Sequence, residues 1–143
     1  MKELITYKHK VQYYETDQMS IVHHSNYIRW FEEARIDFLE QIGMNMEEIE
    51  RNGVQIPVLS VSSNYRSMVR FGDKVYVGLK IEKYNGIKLQ ISYRITDAKT
   101  NELRNEGESS HCFLDLNGQV ISLIKHNIKM HETLEKYVNS STF

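Results

Sequence analysis

The chain has 143 residues, of which 41% are hydrophobic and 26% are charged, with 18 basic and 19 acidic side chains. This length predicts a single domain over 1–143, and this composition excludes an intrinsically disordered chain. The net charge of −1 gives no general attraction for nucleic acid or for an anionic membrane, so we expect neither as a partner.

The N-terminal part of the chain predicts a strand, a polar loop and one long helix. Apolar and polar residues alternate over 5–13, which predicts a strand. A wide apolar arc over 26–42 predicts a helix, and Gly43 ends it. Arg35 lies inside this arc, where it must snorkel to the surface or find an anionic partner, and we expect a structural salt bridge rather than a substrate contact. The arc is wider than a helix on a flat sheet needs, which favours a helix wrapped by a curved sheet.

The remainder of the chain predicts a short helix followed mainly by strands. The short helix covers 46–51. The later elements are predicted strands at 56–69, 75–83, 87–96, 103–116 and 119–124, and a helix at 127–138. This order predicts an α+β fold in which one long helix is wrapped by a curved antiparallel sheet of five to six strands. Such a sheet has exposed edges, and pairing of two copies through an edge is a natural way to cover them.

Two turns set the predicted strand register. Around Asn85-Gly86, apolar faces match only if a three-residue loop pairs Ile81 with Leu89. That loop requires a left-handed Gly86 in a bulge. At the turn 117–118, apolar matching instead predicts a two-residue loop.

The loop before the long helix carries the strongest chemical signal. It contains Asp17 and the adjacent pair His23 and His24, and the helix begins near Asn26. The free N–H groups and the positive dipole end of a helix can bind a developing oxyanion. A carboxylate beside that end can act as a base or as a nucleophile, which suits acyl transfer. The alternative is that Asp17 is only a turn or capping residue.

Metal binding is a second interpretation of the histidine pair. A metal site needs three or four convergent ligands, and neither a cysteine pair nor a His-x-x-x-His spacing accompanies His23 and His24. We therefore expect no metal. His24 as an additional acid–base group stays open, because histidine titrates near neutral pH.

The segment 14–27 resembles the hotdog-fold acyl-CoA thioesterases of the 4-hydroxybenzoyl-CoA thioesterase type. The other matching positions are Trp30, Phe31, Glu32, Arg35 and the run 65–75. The resemblance covers nearly the whole chain and implies one hotdog thioesterase domain over 1–143. One departure is Ser20, where the family pattern usually has glycine. If that position needs a positive φ, serine would strain the loop and could move Asp17.

The resemblance also implies an activity and a set of residues. The expected reaction is hydrolysis of an acyl-CoA or acyl-carrier-protein thioester, with coenzyme A as part of the substrate and no separate cofactor. Asp17 carries over as the essential residue, as general base or nucleophile. The backbone N–H of His24 carries over as the group that polarises the thioester carbonyl, with Ser25, Asn26 and Tyr27 lining the same end. The family architecture implies a homodimer or homotetramer with the site at a subunit interface.

Basic residues on the strands are candidates for the phosphates of coenzyme A. Arg66, Arg70 and Lys88 lie where the resemblance places the nucleotide, and the alternative is a solvated strand face. A different class of function is a hotdog module that binds an acyl thioester or a carrier protein without hydrolysis, and in that case Ser20 would have compromised the loop.

The cysteine content and hydropathy bear on the compartment. Cys112 is the only cysteine, which excludes an intramolecular disulfide. No stretch approaches the roughly 18–20 apolar residues of a membrane span, and the first residues lack a signal-peptide core. We therefore expect a cytoplasmic protein.

Overall fold

The computed structural model describes residues 3–143, in which helices separate and flank the strands of one sheet. The strands are β1 (Tyr7–Lys10), β2 (Val58–Tyr65), β3 (Lys74–Tyr84), β4 (Lys88–Asp97) and β5 (Leu103–Cys112). The α-helices are α1 (Ser25–Gln41), α2 (Met46–Arg51), α3 (Leu123–His126) and α4 (Ile128–Lys136).

The strands form one antiparallel sheet in the order β1-β3-β4-β5-β2. Alternate residues of β3 and β4 are buried on one face, as expected for strands with one face in the core. The long helix α1 packs on that face through Trp30, Phe31 and Phe38, each no more than 2% exposed. Burial of each such side chain contributes about 1.5–3 kcal/mol. The predicted α+β fold is confirmed.

The first strand is shorter than predicted. Instead of running over 5–13, β1 ends at Lys10, and Tyr13–Glu15 forms a single 3₁₀ turn. The turn forms because the Glu15 carboxylate accepts the backbone N–H of Gln12 at 2.8 Å. This correction matters for the site, since the turn brings Glu15 into the core just before the loop that carries Asp17.

In the β3–β4 hairpin, the apolar residues of both strands lie on the same face, as predicted, but the register differs. Ile81 pairs with Ile91 rather than with Leu89, and the bulge lies between Ile81 and Lys83. Gly86 takes the predicted positive φ, at 93°. The turn is set by the Asn85 side chain, whose oxygen accepts two following N–H groups and ends the pairing at the loop.

Several other boundaries also differ from the sequence prediction. The strands predicted at 56–69 and 103–116 are confined to β2 and β5, and 119–124 is not a strand. Near 117–118 the loop is longer than two residues, because Asp115 Oδ1 accepts the N–H of Gln119 at 3.0 Å. The chain then enters α3 after a single bridge to the preceding segment.

The two edges of the sheet are covered to different extents. At one edge, β1 pairs with the first half of β3, and the segment 139–143 bonds to its second half. At the other edge, β2 pairs only with β5 among the residues described, and its Val58 and Leu59 are 48% and 52% exposed. No helix among residues 3–143 combines the length and apolarity needed to cross a membrane.

Candidate active site

The loop that carries Asp17 is a small closed turn. Thr16 and Val22 form an antiparallel bridge, and the N–H of Asp17 donates to the carbonyl of Ile21 at 2.8 Å. Ser20 lies at its tip with a φ of 65°. The left-handed conformation that the missing family glycine suggested is therefore adopted by serine.

The Asp17 carboxylate is held by one oxygen. Oδ1 accepts the backbone N–H of Met19 at 2.8 Å and that of Ile21 at a longer 3.4 Å. Within residues 3–143, Oδ2 has no hydrogen-bond donor. Asp17 therefore stabilises a turn, as the alternative interpretation of the sequence proposed. It is also half-buried, with one carboxylate oxygen available for chemistry.

The loop is anchored by a buried carboxylate that the sequence analysis did not identify. Glu15 is 5% exposed. Its carboxylate forms hydrogen bonds with the backbone N–H of Gln12, a ring nitrogen of His9 and the indole N–H of Trp30, each at 2.7–2.8 Å. Burial alone would raise the pKa of Glu15, but these hydrogen bonds lower it below its usual value. The available signal was a glutamate placed between two apolar elements, which needs partners when buried.

The start of α1 lies against this anchor. The Glu15 carbonyl accepts the N–H of His23 at 2.8 Å and the Asn26 side-chain amide at 2.9 Å. Asn26 is 5% exposed and serves to tie the helix to the loop. Ser25 lies on the surface, where its hydroxyl contacts the His23 ring at 2.9 Å. In the described part of the chain, the N–H of His24 donates no hydrogen bond, as an oxyanion donor requires.

Asp17, His24 and Tyr27 line one open cleft of about 800 Å³. Its opposite wall comes from the segment 65–73, which includes Arg66 and Arg70. Five of the sequence-predicted site residues are thus brought to one place. This volume is within the range of small-molecule sites.

Tyr65 and Arg104 also line the cleft and were missed by the sequence analysis. The Tyr65 hydroxyl donates to the carbonyl of His24 at 3.4 Å, and its ring contacts Tyr27 edge-on at 5.3 Å between centroids. Arg104 comes from the start of β5, which only the sheet order brings beside the Asp17 loop. No local sequence signal could have identified it.

The cationic groups of the cleft differ in how far they are neutralised. Arg66 pairs with Glu106 at 3.1 Å, and Arg104 pairs with Asp97 at 3.2 Å and with Glu102. The Asp97 pKa falls to about 2, mainly through the Thr100 N–H and also through Arg104. Across residues 3–143 the Arg70 guanidinium forms no ion pair, so it is the most available cation for an anionic ligand.

The predicted site residues Ser25, Asn26 and Lys88 do not line this cleft. Lys88 begins β4, whereas the cleft lies near its far end, about 30 Å away along a strand of this length. Asn26 is buried beneath the cleft and does not line it. Among the described residues, no three His, Cys, Asp or Glu side chains come together as a metal site.

The chain is similar to known thioesterases in both sequence and structure. A profile of the thioesterase-like superfamily matches residues 11–133. YneP of Bacillus subtilis, whose name describes an acyl-CoA thioesterase, is 36% identical over 106 residues, which are 74% of this chain and 76% of YneP. An Aquifex aeolicus protein named as an esterase is 32% identical over 124 residues, 87% of this chain and 94% of that protein.

The same relationship is found among solved structures. The DHNA-CoA thioesterase of Staphylococcus aureus matches with a TM-score of 0.88 at 28% identity, over 92% of this chain and 89% of that one. Together with the sheet order and the single long helix, this match confirms the hotdog fold.

Proposed function

The chain belongs to the thioesterase-like superfamily, and on that premise we propose that it hydrolyses acyl-CoA thioesters in the cleft that contains Asp17. One observation carries the proposal. The cleft contains the Asp17 carboxylate, which has one free oxygen, and the start of α1, where the backbone N–H of His24 donates no hydrogen bond within residues 3–143. These are the base and the oxyanion donor that thioester hydrolysis needs.

In the proposed reaction, a water oxygen attacks the thioester carbonyl carbon while Asp17 accepts the water proton. The carbonyl oxygen becomes an oxyanion that accepts the His24 N–H. Collapse of this intermediate breaks the carbon–sulfur bond, and the departing thiolate takes the proton from Asp17. In the second form, Asp17 attacks the carbonyl to give a mixed anhydride and free thiolate, and water then opens the anhydride. Both forms leave the acid and the thiol as products.

Coenzyme A enters as part of the substrate, and the chemistry needs no further cofactor or metal. Arg70 has no ion pair within residues 3–143 and Arg66 is more than half exposed, so both can approach phosphate oxygens at the mouth of the cleft. We propose the cytoplasm as the protein's compartment, as expected from the sequence.

We also propose that the chain works as a homodimer built on β2. Eight residues of β2 form an edge strand with no charged side chain or proline to block pairing. Its Val58, Leu59 and Tyr65 are all about half exposed, which leaves apolar surface for a second copy to cover. Tyr65 also lines the cleft, so a partner on this edge would close the site from one side.

Thiol release from short, medium, long and aromatic acyl-CoAs tests the hydrolase proposal. We expect turnover of at least one class, with free acid formed in equal amount. The strained serine at position 20 favours the competing function, an acyl-thioester binding module. Saturable binding of the same acyl-CoAs without thiol release would establish that module and overturn the hydrolase.

A further inference from the structure

A second, smaller pocket lies beside α1, away from the cleft. Its volume is about 140 Å³ and its walls come from α1 and β2, with Ser109 of β5 contributing to the lining. Apolar side chains make most of the wall, namely Ile28, Phe31, Val58 and Val61. A cavity of about 150 Å³ holds one benzene-sized group, so this pocket fits the end of a small molecule.

A directed chain of hydrogen bonds runs behind the pocket. The Pro57 carbonyl can only accept, so His111 Nδ1 carries the proton at 3.2 Å from it and Nε2 accepts from the Ser109 hydroxyl at 2.7 Å. Ser109 Oγ then accepts from the Tyr93 hydroxyl at 2.6 Å, whose oxygen accepts from Arg35 at 3.0 Å. Every buried member of this chain is satisfied, and its cationic end is the guanidinium of Arg35.

Arg35 has an unmatched charge. We expected a salt bridge from the sequence, but its only hydrogen-bond partner in residues 3–143 is the neutral phenol of Tyr93. Arginine has five N–H donors, and a half-buried guanidinium without an anion is costly. Arg29 and Glu32, both exposed, also line the pocket with opposite charges, which leaves Arg35 as its net charge.

His111 adds no second positive charge beside Arg35. Burial lowers the pKa of His111 to about 4, with a further contribution from the Arg35 charge that outweighs the opposing hydrogen bond to Pro57. The imidazole is therefore neutral near neutral pH, and the pocket presents one planar guanidinium suited to a carboxylate.

We propose that this pocket binds a carboxylate at the far end of the acyl group, so that the substrates are thioesters of dicarboxylic acids. The inference rests on the proposed hydrolase function and names its substrate class. Arg35 lies eleven positions after His24, the N-cap of α1, which is a rise of about 16 Å along the helix, and helical side chains lean back toward the N-terminus. The distance from oxyanion donor to guanidinium therefore suits an acyl chain of medium length.

The test compares pairs of acyl-CoAs that differ only in the terminal carboxylate: glutaryl with pentanoyl, adipyl with hexanoyl, and suberyl with octanoyl. For each pair we expect the wild type to have the higher kcat/KM on the dicarboxylic member. Arg35→Met should reduce that ratio by about tenfold to hundredfold, as loss of a charged hydrogen bond predicts. Arg35→Lys should restore part of it, and Arg51→Met, which removes an exposed arginine on α2, should leave it as in the wild type.

Equal kcat/KM on both members of every pair in the wild type would overturn the inference. The inference would also be overturned if Arg35→Met leaves the ratio of the two kcat/KM values unchanged. Weakened self-association of that variant would then assign Arg35 to a carboxylate of a second copy. If no acyl-CoA releases thiol, the hydrolase proposal fails. Calorimetry then measures the affinity of the wild type and of Arg35→Met for adipyl-CoA and for hexanoyl-CoA. A preference for adipyl-CoA that Arg35→Met reduces supports the inference, and equal affinities in the wild type overturn it.

Discussion

Ser20 holds a left-handed conformation that costs an L-residue about 1–2 kcal/mol. Glycine avoids this cost but loses more entropy on folding, by about 0.5–1 kcal/mol. We therefore expect Ser20→Gly to raise the free energy of unfolding in urea by about 0.5 kcal/mol. Ser92→Gly, in the middle of β4, should lower it. A lower stability for Ser20→Gly would contradict the strain that we assign to this position.

His111 makes folding stability depend on pH. Its folded pKa of about 4 lies below the value of about 6.5 for an unfolded histidine. Below about pH 6.5 the unfolded chain takes up a proton that the folded chain refuses, so stability is full above that pH and is lost as the pH falls toward 4. Between about pH 7 and about pH 5, this group removes about 2 kcal/mol.

His111→Gln should abolish that loss, because a neutral amide does not titrate. Urea unfolding at several pH values in this window measures the effect. His126→Gln, which changes an exposed histidine on α3, should keep the wild-type dependence. The same slope in His111→Gln and the wild type would show that another group is responsible.

At the scale of elements, Gly107 of β5 lies where the sheet packs closely against α1. A Cβ there would overlap the carbonyl oxygen of Ser62 on β2 and the ring of Phe31 on α1. Since a backbone oxygen cannot move away without breaking the strand pairing, we expect Gly107→Ala to cost about 3 kcal/mol in thermal or urea unfolding. Glu108→Ala, at the next and exposed position, should change stability by less than about 0.5 kcal/mol. Equal effects of the two substitutions would refute this packing.

The elements show which parts of the structure sequence patterns can predict. The 3.6-residue periodicity placed α1 within a residue, since its buried face includes Trp30 and Phe38. Strand ends and register were less predictable, because side chains such as Asn85 and Asp115 bond to nearby backbone and end the pairing. The prediction that Arg35 forms a salt bridge was wrong, since its phenol partner lies on β4, far away in sequence.

The candidate site was predictable only where it is local in the chain. Asp17, His24 and Tyr27 are within eleven residues, and the family resemblance identified them together. Arg104 and Tyr65 reach the cleft through the order of the strands, which no local pattern contains. The single-domain extent over 1–143 and the catalytic roles themselves stay predictions.

At the scale of the whole molecule, the exposed edge of β2 predicts self-association. Leu59→Lys places a charge on this edge, and natural sheets use lysine in this way to prevent pairing. We expect sedimentation velocity to detect a dimer in the wild type and a shift toward monomer in Leu59→Lys. Val120→Lys, at an apolar position 61% exposed outside β2, should remain dimeric. A wild type that sediments as a monomer at micromolar concentration would contradict the proposed dimer.

The central claim is that Asp17 performs the chemistry in a hotdog thioesterase, and the most direct measurement is kcat for Asp17→Asn on the best acyl-CoA. Asparagine keeps an oxygen to accept the Met19 N–H, so the loop should hold its shape while the base or nucleophile is lost. Glu102→Gln, which changes another carboxylate lining the same cleft, is the matched control. We predict a fall in kcat of about 10³-fold or more for Asp17→Asn, with acyl-CoA binding retained. A kcat within tenfold of the wild type would contradict the account.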